Sequence, residues 1–429
     1  MPYGSDWYKL DNVAKIMPST ATGADTRVFR LVCELVEDVD HDVLQDALDD
    51  TIEDFPLLRC CLRRGLFWYY LEQTQIRPLV TQDTLPALSV LYIPGRHNLL
   101  FRVTYNKNRI NVEMYHVIAD GTGGYSFIKH LIMNYLSKKY SLDLHDYAPD
   151  MTSVSERASD AYSRYYGSGE KAPALSPLSW IKKMIPANAC KIKGIPDPDL
   201  REHLLEGRVS LSEFLDVCHQ KNLTLGIMST SLFIIAVLKQ LGTREMKKPI
   251  VISVPVNLRQ FFPSETARNF FGTIFVRYDP KKYDGTLESV TGEVAKAFKS
   301  ELTKERVANA MNSYAILEHA WGIKILPLSF KNLAVHFFNS NIKSGVTASV
   351  SNVGKIELPE EASKYVKFFS SFMAGPTVFM CISTFGDEMS FGIVDAYTRH
   401  DVSLEFFRSL TAMGMHVTLS SNDSYMDEH

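Results

Sequence analysis

The sequence predicts an α/β protein of two similar lobes, with mixed sheets flanked by helices, and three observations carry that expectation. The chain has 429 residues, 45% of them hydrophobic, which is more than a single core usually organises. Strand-like and helix-like periodicities alternate in both halves instead of segregating. Between about 147 and 200 both give way to Ser, Pro, Gly and charge, as in "SVSERASDAYSRYYGSGEKAPALSP" and "IPANACKIKGIPDPD". The expected division is an N-terminal lobe over 1–150, a linker or crossover over 151–204 and a C-terminal lobe over 205–429.

Taken in order, "RVFRLVCELV" from Arg27 reads as a buried strand because branched apolar residues dominate it. In "DVDHDVLQDALDDTIEDF" the apolar Val43, Leu44, Ala47, Leu48, Ile52 and Phe55 recur at helical spacing, with Asp40 as N-cap and Pro56 as stop. "LLRCCLR" and "LFWYYLE" make two strands about Gly65, and "NLLFRVTYNKNRINVEMYHV" a hairpin turning at "NKNR". An amphipathic helix begins near Gly124 and carries Phe127, Ile128, Leu131, Ile132, Tyr135 and Leu136. Beyond the polar stretch, helices are expected at "LSEFLDVCHQ", "TLGIMSTSLFIIAVLKQL" and 286–304. Strands are expected at "PIVISVPV", "GTIFVRY", "VTASVSNV", "TVFMCIST" and "MSFGIVD", and a last helix opens at Asp401. No short-period repeat supports a solenoid or propeller.

Composition narrows the function. The 46 Lys and Arg against 49 Asp and Glu give a net charge of -3, without the concentrated positive charge that binding to nucleic acid or anionic lipid requires. The six cysteines, at 33, 60, 61, 190, 218 and 381, show no Cys-x-x-Cys spacing and read as small core residues of a reduced, intracellular protein. The first residues lack a signal-peptide pattern, and "LFIIAVL" is too short to span a bilayer, so a cytoplasmic protein without a membrane span is expected. Gly-x-Ser-x-Gly, Walker, Gly-x-Gly-x-x-Gly and His-Glu-x-x-His motifs are all missing. No bound cofactor and no metal are expected.

The stretch that carries chemistry is "MYHVIADGTGGYSF", residues 114–127. His116 leaves a strand, and a near-neutral imidazole at such an exit can accept a proton from an attacking hydroxyl or amine. Asp120, four residues on, could orient the ring or hold the loop through a buried arginine. The glycines let the backbone turn sharply and a substrate approach closely. On local pattern alone, the bland reading is the more frequent one, since so short a pattern recurs by chance: His116 caps a strand, Asp120 caps the next helix and the glycines make the turn.

"HVIADG" resembles the His-x-x-x-Asp-Gly motif of the chloramphenicol acetyltransferase-like superfamily, which includes alcohol acetyltransferases, plant acyltransferases and the condensation domains of peptide synthetases. "FPLLRC", "VPVNLRQFFPSETARNFFG" and "SVSNVGKIELP" resemble further family segments and fall in the family's order. Two departures are visible: Tyr115 stands where condensation domains carry a first histidine, and the plant Asp-Phe-Gly-Trp-Gly motif is missing. The resemblance therefore implies simple O-acetylation or O-acylation more than peptide-bond formation. It implies two lobes meeting along an active-site channel, with acyl-CoA or an acyl-phosphopantetheine as co-substrate and a small alcohol or amine as acceptor.

Under that resemblance His116 is the general base and Asp120 a structural partner of an arginine, Arg259 first and Arg59 second. The oxyanion donors would be N–H groups of the Gly121 to Gly124 turn and the side chain of Asn352, whose alternative is a turn residue bonded to its own backbone. Arg268, Lys281 and Lys282 could meet the phosphates of coenzyme A or a phosphopantetheine arm, although solvated charge is the plainer reading of the lysines. Three rivals stay open: a condensation-type enzyme served by an acyl carrier protein, a silent binding protein of the same fold, and a metal-dependent hydrolase with His116, Asp120 and His130 as ligands.

Overall fold

The computed structural model describes residues 7–23, 25–144, 154–165, 188–199, 201–309, 311, 326–333 and 344–422. Much of the crossover expected over 151–204 lies outside the described residues.

A small antiparallel sheet is built from β1 (Trp7–Lys9), β3 (Cys60–Arg64) and β4 (Tyr69–Gln73) in the order β1-β4-β3. The N-terminal half also supplies β2 (Val28–Leu35), β5 (Val80–Gln82), β6 (Phe101–Asn106) and β7 (Arg109–Tyr115) to a second sheet. The C-terminal half contributes β8 (His203–Ser210), β9 (Ile250–Asn257), β10 (Phe271–Tyr278), β11 (Ala348–Ile356), β12 (Val366–Met373), β13 (Phe379–Phe385), β14 (Glu388–Asp395) and β15 (Thr418–Ser421). Its large sheet runs β10-β9-β11-β13-β14-β8-β15 and is mixed, since β11 lies parallel to both β9 and β13 while the other pairs are antiparallel.

β12 leaves its own half. It pairs antiparallel with β2, from Val366 opposite Leu35 to Met373 opposite Phe29, and closes the N-terminal sheet as β12-β2-β7-β6-β5. The "VKFFSSFM" run has apolar residues on both faces, which suits a strand wedged between two sheets. One face contacts the large sheet so closely that a Cβ on Gly392 would lie 2.1 Å from the Ser371 carbonyl oxygen. Polar links tie the same seam: Arg109 to Glu206 at 3.0 Å, Ser371 to Ser383 at 2.7 Å and Tyr125 to Ser383 at 2.6 Å.

Among the described residues, six helices of ten residues or more flank these sheets. α1 (His41–Glu53) is capped by Asp40, which accepts from the N–H groups of Asp42 and Val43. α2 (Gly121–Tyr140) follows β7. α3 (Leu211–Gln220), α4 (Leu225–Leu238), α5 (Leu287–Glu301) and α6 (Asp401–Ala412) cover the large sheet. α4 is apolar all round and is correspondingly buried over its last ten residues and Met228. All six cysteines are buried free thiols. No single helix among the described residues is long and apolar enough to cross a membrane.

Candidate active site

β7 delivers His116 to the junction of the two halves. The His116 N–H donates to the Arg27 carbonyl at 2.9 Å, one pair beyond the Val28–Tyr115 register, and Ile118 N–H closes a turn on the Tyr115 carbonyl. The imidazole is partly exposed. It lies between Phe29 of β2, at 5.4 Å between ring centroids, and Phe271 of β10, at 5.5 Å. One aromatic wall thus comes from each half.

Asn269 reaches the ring from the segment before β10, its Oδ1 2.9 Å from His116 Nδ1. Among the described residues Nε2 has no hydrogen-bond partner. Desolvation holds the imidazole below the ordinary histidine value, ahead of the opposing pull of its own backbone, of Asp120 and of Asn269, while Arg27 adds to the lowering. A ring kept neutral near pH 7 with one nitrogen open is chemically a proton acceptor.

Asp120 is used differently. It caps α2, which starts at Gly121 and not at the expected Gly124 because the Asp120 carboxylate takes the Gly123 N–H at 2.9 Å. Its other oxygen accepts from Arg259 Nη1 at 2.8 Å and from Phe270 N–H at 2.8 Å, and Arg259 Nη2 adds a contact at 3.3 Å. Arg259 in turn donates to the carbonyls of Thr266 and Arg268, both at 2.8 Å. Asn257 steadies the same turn by accepting from the Arg259 N–H and donating to the Thr122 hydroxyl. With Asp120 and Arg259 side chains only 6% and 11% exposed, the carboxylate is a buried strut with every oxygen committed.

The glycines serve the same packing. A Cβ at Gly123 would sit 1.9 Å from the Ala267 carbonyl oxygen and one at Gly124 2.6 Å from the Phe29 ring. Only glycine lets the first turn of α2 approach the 267 backbone this closely. Gly123 and Gly124 spend their N–H groups on Asp120, so the turn offers fewer oxyanion donors than its four positions suggested. Gly121 faces Val353, and at the next residue Asn352 is exposed, its Oδ1 accepting the Gly354 N–H at 3.1 Å across a bulge in β11. Asn352 therefore makes the expected turn bond, and its amide nitrogen is the part left over.

Other expected residues lie apart from this cluster. Arg59 pairs with Glu53 at 2.6 Å, not with Asp120. Arg268, expected to meet a phosphate, is 6% exposed and gives its guanidinium to the carbonyls of Lys9 and Ala158, with Asp11 at 3.9 Å. It is buried because it ties the N-terminal segment to the 267–270 backbone. Lys281 and Lys282 are exposed, the latter paired with Glu293 at 2.7 Å. Tyr115 is fully buried and stacks on Tyr92 at 5.8 Å. The metal-ligand set does not converge: Asp120 is occupied by N–H donors, and His130 Nδ1 bonds the Ser126 carbonyl at 2.7 Å while its ring meets Phe55. An apolar hollow behind the loop, walled by Leu58, Met114, Ile118, Ala119 and Phe127, does not include His116.

Asn269 was missed as a site residue. It stands inside the quoted "RNFFG", but nothing local distinguishes an amide that holds a histidine ring from one that makes a turn.

No family model and no curated protein matches the sequence. Solved structures do. A trichothecene 15-O-acetyltransferase from Fusarium sporotrichioides superposes with a TM-score of 0.61 at 11% identity, over 95% of this chain and 94% of that one. The first condensation domain of the calcium-dependent antibiotic synthetase, in complex with a substrate analogue, gives 0.61 at 13% identity, over 96% of each chain. A variant of the starter condensation domain of rhizomide synthetase, in complex with C8-CoA, gives 0.59 at 12% identity, over 95% of this chain and 94% of that one. The chain thus has the two-lobed chloramphenicol acetyltransferase-like fold over nearly its whole length.

Proposed function

We propose that the protein is an acyltransferase that moves an acyl group from a thioester, acyl-CoA in the first instance, to a small alcohol or amine, with His116 as general base. The observation that carries this reading is the division of labour in the loop. Asp120 is wholly spent on Arg259 and the backbone, whereas His116 keeps Nε2 open between two aromatic walls. That the fold is shared with an acetyltransferase and with a condensation domain in complex with C8-CoA supports the thioester donor.

In this mechanism His116 Nε2 takes the proton of the acceptor hydroxyl or amine as its oxygen or nitrogen attacks the thioester carbonyl carbon. The new bond forms, the C–S bond breaks through a tetrahedral intermediate, and the imidazolium returns the proton to the departing thiolate, releasing free thiol. The oxyanion is assigned to the Gly121 N–H and the Asn352 side-chain amide, neither of which is consumed by the Asp120 network. The channel between the lobes would admit donor and acceptor from opposite sides, and a cytoplasmic location suits a donor of this class.

The test is a screen of acyl-CoA thioesters of increasing chain length against alcohols and amines, following free thiol. Thiol release that requires an acceptor, unaffected by a chelator, is the expected result. Release only from acyl carrier protein thioesters would move the protein to the condensation-type reading. Thioester binding without any release across the panel would favour a silent member of the fold.

A further inference from the structure

We propose that Asp11, in the N-terminal segment after β1, is a positioning residue of the active site: its carboxylate fixes the amide of Asn269 so that His116 holds its proton on Nδ1 and presents a lone pair at Nε2. The inference rests on the reading of His116 as the base, and its first readout does not depend on activity.

Three facts carry it. Asp11 is 1% exposed, and both its oxygens are engaged, Oδ1 by the Ala14 N–H at 2.8 Å and Oδ2 by Asn269 Nδ2 at 3.0 Å. The same Nδ2 faces the carbonyls of His116 at 3.0 Å and Val117 at 3.5 Å. On its other side, Asn269 Oδ1 faces His116 Nδ1. An amide can be turned either way, and its neighbours decide which. Turned over, Asn269 would set its oxygen against a carboxylate and two carbonyls, all acceptors. The charged carboxylate is the strongest of the three, because a hydrogen bond to an ionised acceptor is roughly twice a neutral one.

The consequence for the ring follows from the donor inventory. An amide oxygen only accepts, so the imidazole nitrogen facing it must carry the hydrogen, and in a neutral ring the other nitrogen then carries the lone pair. Burial pushes the Asp11 carboxyl up to about 6, against the pull of Arg268 and the bonds from Ala14 and Asn269, with Asp160 raising it slightly. At neutral pH it is therefore mostly ionised, in the state that locks the amide. No step in this chain is local in sequence, since Asp11 and Asn269 are 258 residues apart.

The test reads ring tautomers directly, through two-bond proton–nitrogen correlations of the histidines in uniformly labelled full-length protein, with His116 identified by its loss in His116→Gln. Wild type is expected to show His116 protonated at Nδ1 and bare at Nε2. Asp11→Asn offers Asn269 a partner that accepts or donates, so a population protonated at Nε2 should appear, and kcat should fall by about tenfold or more with the thioester KM unchanged. The reciprocal swap, Asp11→Asn with Asn269→Asp, reverses donor and acceptor in the same bond and places a carboxylate against Nδ1. It should restore the Nδ1 tautomer, while kcat recovers only in part because the other carboxylate oxygen introduced at position 269 faces the His116 and Val117 carbonyls. A folded Asp11→Asn protein that keeps the wild-type ring spectrum and kcat overturns the proposal. Should Asp11→Asn alone fail to fold, the swap decides: a folded swap with His116 protonated at Nε2 overturns it equally. Tautomers that follow Asp11 as expected while His116→Ala retains full turnover would leave this positioning role standing and remove the general-base reading instead.

Discussion

The two ends of one short loop, His116 and Asp120, are treated in opposite ways by the fold. Around Asp120 every oxygen is matched: Arg259 twice, Phe270 N–H and Gly123 N–H. Around His116 only one nitrogen is held among the described residues, and the ring stands between Phe29 and Phe271 with no partner among them for the other nitrogen. A residue whose hydrogen-bonding capacity is saturated inside the protein has none left for a substrate, whereas one left half-satisfied at a partly exposed junction still has an atom to offer. Spacing alone could not have told the two apart.

The sharpest way to break this contrast is His116→Ala. Removing a general base should lower kcat by roughly two to four orders of magnitude while the melting temperature stays near that of wild type. Turnover at the wild-type level in the folded variant would make the loop structural at both ends.

Asp120→Ala should do the reverse in emphasis. Arg259 would be left buried without its counter-charge, which costs about 3 to 5 kcal/mol, so the melting temperature should drop along with activity. A double-mutant cycle between Asp120 and Arg259, read by denaturant unfolding, should show coupling of about 0.5 to 3 kcal/mol. If Asp120→Ala melts like wild type and loses activity as His116→Ala does, the aspartate belongs to the chemistry.

The pH profile sharpens the comparison at the histidine end. A base must be neutral to act, and burial lowers the His116 proton affinity. Activity should thus be full at neutral pH and fall on the acid side through a midpoint below the ordinary histidine value of about 6.5. The sign is fixed by desolvation: a midpoint above that value in kcat/KM would mean that the imidazolium, not the imidazole, is favoured at the site.

How much of this was legible in the sequence depended on how local the cause is. The β7 exit, Asp40 as a cap and the helical run of α2 all follow from periodicity and capping chemistry within a few residues, although α2 is buried along most of its length and not on one face alone. The start of α2 was misplaced by three positions because glycines at 121, 123 and 124 argue against a helix, while a buried carboxylate cap and a packing demand from Ala267 outweigh that propensity. β12 went unread because "VKFFSSFM" belongs to the C-terminal half in sequence and to the N-terminal sheet in space. Arg259 was reached through the resemblance rather than through spacing, being 139 residues from Asp120. Asn269 lies in the Asn-Phe-Phe-Gly segment quoted for the resemblance, but its role exists only where residues 11, 116 and 269 meet.

The smallest expected effect separates the two arginines once considered for the same partnership. Arg259 is buried, bound to Asp120 and to two backbone carbonyls, so its loss falls on the stability of the loop. Arg59 is about a quarter exposed and pairs with Glu53, itself mostly in solvent. An ion pair in that setting gains little over hydration and is worth roughly 0 to 1 kcal/mol. Arg59→Ala should therefore change unfolding free energy by less than about 1 kcal/mol, an effect that shrinks further as salt is raised. Because Arg59 is engaged by Glu53 and not by Asp120, the thioester KM and kcat should both stay within about twofold of wild type. A large rise in the thioester KM in Arg59→Ala would instead place this residue on the donor path, and the loop would then owe its electrostatics to two arginines rather than one.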